Sequence, residues 1–382
     1  MRSHRRHVPS GLCNRSMAAA ASHSAAASHS HCFPSSFAHG AWVPSNSTPA
    51  YALSMAHAEF GHCRSTRRDT HDWRARAPCR PPPVEVSCAR LNGQKIVMVG
   101  DSTLQQVFYS IASMFMQTKK PPTCKSTNST RCVEMANQTR VRRARVACGH
   151  ARVEFVYLRN DLLVLPEDFD DAKQRLHDHG EVKPNMRHQL NFNFAPKQDW
   201  RAENATLTVF SGGLHDVTDR GSFIFGESFL ADRLRIALRT SDPARTAVAA
   251  VAAPLPDCTD YHAPLTPAEA RRAFADAYDR ANASHFEAQT FEGTFVRQWE
   301  RWREHTPRVM HSVAAEAGVA FLDFTPMMAM RPDSASGQSA KAATIDGKPF
   351  HDCVHHCTPV RRAPQRPPRF ACPGAPRALC PS

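Results

Sequence analysis

The chain has 382 residues, 42% of them hydrophobic, which is enough for one large domain or two modest ones with a real core and excludes wholesale disorder. Its formal charge of +13 sits in the tails: residues 1–90 carry +7 and residues 359–382 carry +5, leaving +1 for residues 91–358. A nucleic-acid binder shows its basic footprint on the domain itself, so no nucleic acid is expected as a partner.

Residues 1–71 read as a low-complexity segment, disordered or targeting. Up to residue 58 it holds no acid and is rich in Arg, Ser, Ala and His. MAAAASHSAAAS (17–28) lacks the continuous apolar core of a signal peptide, and the composition is closer to a transit peptide. No run approaches the roughly 18 apolar residues of a membrane helix, so no membrane anchor is visible. Either the natural start lies further upstream or the segment is an organellar presequence.

Residues 72–90, with Trp73, Cys79 and Cys88 around a proline run, form a stapled lead-in. KIVMVG (95–100) reads as a buried strand and TLQQVFYSIASMFM (103–116) as an amphipathic helix. A Cys- and sequon-bearing polar excursion spans 117–148, ARVEFVYLR (151–159) is a second strand, and Leu162–Leu165 a short third. A long polar insertion covers 166–203; its acidic run PEDFDDA (166–172) lacks the glycine and terminal Glu of a calcium loop and reads as solvated.

TLTVFSGG (206–213) is a strand entering a glycine turn, FLADRLRIALRT (229–240) is helical, and TAVAAVAAP (246–254) is again a strand. Residues 266–318 are mostly helical, with Trp299 and Trp302 at core-like spacing, and VAFLDFTPMM (319–328) closes the series as a strand. Strands separated by helices predict an α/β fold with a mostly parallel central sheet. Residues 361–382 are a basic, Pro-rich tail.

Thirteen cysteines exceed ordinary cytosolic use, and the ten from Cys79 onward form an even set suited to disulfide-stapled insertions. Six of eleven Asn residues (14, 46, 128, 137, 204 and 282) begin an Asn-x-Ser/Thr sequon, where chance would give about one or two. Together these point to an oxidising, glycosylating lumen: the secretory pathway, either Golgi lumen or secreted, with an organelle as the alternative that the N-terminus suggests.

The turn Gly100-Asp101-Ser102 lies between a buried strand and a helix. A serine there sits at the carboxyl edge of a parallel sheet, where open α/β folds build their sites, and at a helix N-terminus that favours developing negative charge. That is the setting of a nucleophile with part of an oxyanion hole. The plainer alternative is that Asp101 or Ser102 caps the helix. Far along the chain, HDCVHHCTP (351–359) places Asp352 and His355 three residues apart, a carboxylate able to orient a histidine that takes the serine's proton. Cys353, His355, His356 and Cys357 could instead be half of a zinc site completed by Cys372 and Cys380.

GDSTLQQ followed by a late Asp-Cys-Val-His-His-Cys-Thr-Pro resembles the SGNH/GDSL hydrolases, and more narrowly the PC-esterase group with its trichome-birefringence-like polysaccharide O-acetyltransferases. FLDFTPMMAMRPDS (321–334) and the Trp73…Cys79 lead-in are similar as well, so the resemblance covers about residues 72–360. It implies a three-layer SGNH-hydrolase-like domain over 72–360 in which Ser102 is the acyl nucleophile, His355 the general base and acid, and Asp352 the orienting carboxylate. Ser211-Gly212-Gly213-Leu214-His215 matches the family's central glycine turn, so Gly213 and Ser102 would give N–H groups to the oxyanion hole. Ser211 stands where an Asn amide is usual, Gln105 where an Arg is usual, and His356 where a Trp is usual. Gln105, His215 and His356 are candidate substrate contacts. Cys353 and Cys357 go to disulfides in this reading, with no metal and no bound cofactor. The activity implied is O-acyl transfer, O-acetylation in particular, from a donor such as acetyl-CoA or an acetyl ester onto a glycan or polysaccharide. The alternatives are an acetylesterase of the same fold and a catalytically silent glycan-binding relative.

Overall fold

The computed structural model describes residues 40–44, 71–75, 84–115, 131–138, 141–171, 174, 199–214, 226–251, 261, 263–283, 301–330, 343–345 and 348–350. All of them belong to one unit, residues 32–382. Two strands, β1 (Gly40–Pro44) and β2 (His71–Ala75), pair antiparallel, and a short helix α1 (Val84–Arg90) leads into β3 (Lys95–Gly100). Then come α2 (Ser102–Met114), β4 (Arg131–Gln138), β5 (Val141–Cys148), β6 (Ala151–Arg159) and β7 (Leu207–Phe210). The chain continues through α3 (Phe229–Arg239), β8 (Thr246–Ala250), α4 (Pro267–Ala283), a π-helical turn Arg301–His305, α5 (Thr306–Ala317), β9 (Ala320–Asp323) and α6 (Thr325–Ala329). A small antiparallel pair, β10 (Ala343–Ile345) and β11 (Lys348–Phe350), follows.

Seven of these strands form one sheet in the order β4-β5-β6-β3-β7-β8-β9. From β6 to β9 every pairing is parallel, while β4, β5 and β6 pair antiparallel. The chain is therefore α/β with a mixed, mostly parallel sheet, as the alternation of strands and helices predicts.

Alternation along β3 decides how the sheet is covered. Ile96 and Met98 join one buried cluster with Leu104, Phe108, Tyr109 and Ala112 of α2. Val97 and Val99 join a second with Leu234 and Leu238 of α3 and Met310 and Val313 of α5. Successive strand residues point to opposite faces, so β3 is apolar throughout because both of its faces are covered by helices. The helices bury residues at three- and four-residue spacing, and each large side chain so buried stabilises by about 1.5–3 kcal/mol. A disulfide joins Cys88 of α1 to Cys148 at the end of β5, with Cα atoms 6.2 Å apart and a sequence separation of 60. Closing a loop of that length contributes about 4 kcal/mol in the chain-entropy account.

Three expectations need correction. The polar excursion 117–148 contains two strands, β4 and β5, which add an antiparallel flank to the sheet. Its arginines hide the strand pattern: Arg142 Nε donates to Tyr109 Oη at 3.1 Å, and Arg143 is paired with Glu203, while Ala144 and Val146 are buried. Leu162–Leu165 is buried but is not a strand, because Leu163 takes the left-handed region (φ 52°) and Asn160 clamps Val164. The last strand stops at Asp323, whose carboxylate accepts the Thr325 N–H at 2.9 Å and turns the chain into α6. Pro326, in the first turn of that helix, suits a helix start. Asn282 lies in α4 and Asn137 in β4, whereas Asn204 is an exposed turn residue with φ 50°.

Candidate active site at the carboxyl edge of the sheet

β3 and β7 are parallel neighbours in the register Val99↔Phe210, so Gly100 stands beside Ser211 and both chains leave the sheet at its carboxyl edge. Ser102 and Gly213 each follow two residues further on. The edge is unusually tight. A Cβ on Gly100 would lie 2.3 Å from the Ser211 carbonyl oxygen, a backbone atom that cannot swing away. Glycine is required at position 100 for this close approach of two backbones, not for an unusual dihedral angle. Gly213 is required on both counts: its φ is +95°, and a Cβ there would lie 2.5 Å from Thr306 Cγ2.

Ser102 opens α2 and is 5% exposed. The capping role falls to its neighbour. Asp101 accepts the Thr103 N–H at 2.9 Å and the Thr103 hydroxyl at 2.6 Å on one carboxylate oxygen. With Asp101 as the cap, the helix start does not account for the serine. Ser102 lies in the first turn of a 13-residue helix, where the dipole favours negative charge.

β6 borders the turn from the other side of β3. The Tyr157 hydroxyl donates to the carbonyls of Gly100 at 2.9 Å and Asp101 at 2.8 Å, and the Asn160 N–H donates to Gly100 O at 2.9 Å. Burial drives the Tyr157 pKa well above its ordinary value, which keeps the phenol protonated as a donor. Arg159 ends β6 opposite Gly100, forms a bidentate ion pair with the fully buried Asp161, and reaches Gln105 Oε1 at 3.3 Å through Nη1. Burial works against the Arg159 charge, but the Asp161 carboxylate outweighs it and the pKa is raised.

On the far side of Gly213 stand Thr306, at the start of α5, and the buried His305, whose Nδ1 is 3.5 Å from Glu227 Oε1. Burial lowers the His305 pKa, against the pull of Glu227.

Of the expected site residues, the structure brings Ser102, Gln105, Ser211 and Gly213 to one edge of the sheet, the first two on α2 and the others on the turn after β7. Asp352, His355, His215 and His356 lie outside the described residues, as does the Cys353–Cys357 cluster. Among the described residues no group of three or more His, Cys, Asp or Glu could hold a metal ion, and no helix is long and apolar enough to cross a membrane. Tyr157, Arg159, Asp161 and His305 are not singled out by the sequence. The signal for two of them was present: polar Arg159-Asn160-Asp161 directly follows an apolar strand that pairs with β3. No protein-family model matches the chain, and a comparison with curated proteins finds no match.

Proposed function

We propose that the chain is a serine O-acyltransferase with a three-layer SGNH-like domain of the PC-esterase kind, acting on a glycan. The observation that carries this reading is the strand–Gly-Asp-Ser–helix turn with Ser102 at the carboxyl edge, faced from the adjacent parallel strand by a turn whose Gly213 tolerates no side chain. In this mechanism the Ser102 hydroxyl attacks the acyl carbonyl of an acetyl ester or acetyl thioester while His355, oriented by Asp352, takes its proton. The tetrahedral oxyanion is held by backbone N–H groups of Ser102 and Gly213 at the positive end of α2. Collapse expels the donor's alcohol or thiol, which regains the proton. A sugar hydroxyl, deprotonated by His355, then attacks the acetyl-serine and restores the enzyme. Transfer in place of hydrolysis requires that the acyl-enzyme be shielded from water until the sugar arrives. The Cys88–Cys148 disulfide supports an oxidising lumen as the place of action.

The test is to express the full chain in a secretory host and incubate it with an activated acetyl ester, with and without mixed oligosaccharides, beside Ser102→Ala. Mass spectrometry should show one acetyl group gained by the enzyme and passed to sugar, and neither event in Ser102→Ala. Acetate released at one rate whatever the sugar would make it an esterase. A well-folded protein that never gains acetyl but retains oligosaccharide would be a glycan-binding relative without chemistry.

A further inference from the structure

Ser102 is bordered on the β7 side by the Gly213 turn, which belongs to the mechanism above. On the β6 side it is bordered by a buried polar row to which that mechanism gives no task. Tyr157 and Arg159, two residues apart, share the sheet face that packs on α2. Tyr157 holds the two carbonyls that precede Ser102. Arg159 holds the residue one helical turn after it: its Nη1 meets Gln105 Oε1 at 3.3 Å, while Nε and Nη2 are engaged by Asp161. Residues three apart on a helix share a face, so Gln105 and Ser102 stand on the same side of α2.

The chemistry of this contact is directional. Arginine has only donors, so the atom it meets must be the amide oxygen, and the orientation of the Gln105 amide is fixed by its partner. A buried Arg–Asp pair gives no more stability than apolar residues of the same volume. Asp161 is fully buried and the Arg159 side chain is 14% exposed, so this edge of the sheet carries the desolvation cost of both charges.

We propose that Arg159, aimed by Asp161, is a positioning residue for the nucleophile: it holds Gln105, and through it the first turn of α2, so that the Ser102 hydroxyl stays in its attacking position. The inference rests on the reading of Ser102 as nucleophile. Displacing a reacting atom by an ångström costs up to about a hundredfold in rate, so a contact one turn away has ample leverage.

The experiment uses the full chain and an alkyl fluorophosphonate probe. Ser102 Oγ forms a bond to phosphorus as the P–F bond breaks, fluoride leaves, and the serine proton passes to the base. The wild type should label at Ser102, located by tandem mass spectrometry. Gln105→Leu, which offers Arg159 no acceptor, should label about tenfold more slowly at a temperature where it is fully folded. Gln105→Glu, whose carboxylate accepts from Arg159, should recover most of that loss. Gln105→Asn, too short to make the contact, serves where the Leu variant does not fold, and should be slow in the same way. A wild-type rate in folded Gln105→Leu or Gln105→Asn, or a Gln105→Glu rate as low as theirs, would overturn the positioning role and leave Ser102 as nucleophile. A wild type that folds but does not label at Ser102 would overturn the nucleophile reading and this inference with it.

Discussion

The two ends of β3 are built from the same kinds of residue and behave differently. At the amino end Lys95 Nζ meets Glu203 at 2.7 Å and Arg143 Nη1 meets it at 2.9 Å, with about a quarter of each cation's side chain in solvent. At the carboxyl end Arg159 and Asp161 are paired with Asp161 fully enclosed. Losing Glu203 leaves two cations that are each a quarter exposed, whereas losing Asp161 leaves Arg159 with only 14% of its side chain in solvent. The carboxyl end is thus the rigid, costly one, and it is the end that holds Ser102.

The sharpest way to break this contrast is Asp161→Ala, which strands the Arg159 charge. A loss of about 3–5 kcal/mol in chemical denaturation is expected, and less than 1 kcal/mol would mean that solvent reaches this edge after all. Gly100→Ala comes next. Its methyl would collide with the Ser211 carbonyl, and about 3 kcal/mol, the upper end of the overpacking range, should be lost in the same denaturation series. Tyr157→Phe should lose only about 1 kcal/mol, because Gly100 O keeps the Asn160 N–H and Asp101 O keeps the Gln105 N–H at 3.1 Å.

The smallest effect belongs to the amino end. Glu203→Gln should cost about 1 kcal/mol or less near neutral pH. Burial alone would raise the Glu203 pKa, but hydrogen bonds from Arg143 and Lys95 outweigh it and hold the carboxylate below its usual value. Its contribution is therefore present above the ordinary carboxylate pKa and disappears as pH falls through the lower folded-state value. Melting temperatures taken across the acid range should converge for wild type and Glu203→Gln as the solution is acidified, and parallel curves would refute the linkage.

Much of the frame was legible in advance. KIVMVG and ARVEFVYLR are strands with the expected bounds, since both are apolar runs closed by a glycine or a charged residue at the edge. β5 was hidden because Arg142 and Arg143 look like loop residues until Tyr109 and Glu203, distant in sequence, are seen to receive them. Leu162–Leu165 misled for the opposite reason: apolar composition carries no trace of the Asn160 clamp or of the left-handed Leu163. At the site, the Gly-Asp-Ser turn could be read from a short stretch. The second glycine turn needed the sheet register to bring it alongside. Gly100 is needed for a backbone approach that becomes visible only once β7 is in place.

A crystal structure of the full chain after reaction with a fluorophosphonate tests this edge most directly. Phosphorus should be bonded to Ser102 Oγ, with a phosphonyl oxygen accepting a hydrogen bond from the Gly213 N–H. Phosphorus on another residue, or on Ser102 with its oxygen turned away from the β7 turn, would contradict the assignment of this edge as an acyl-transfer site.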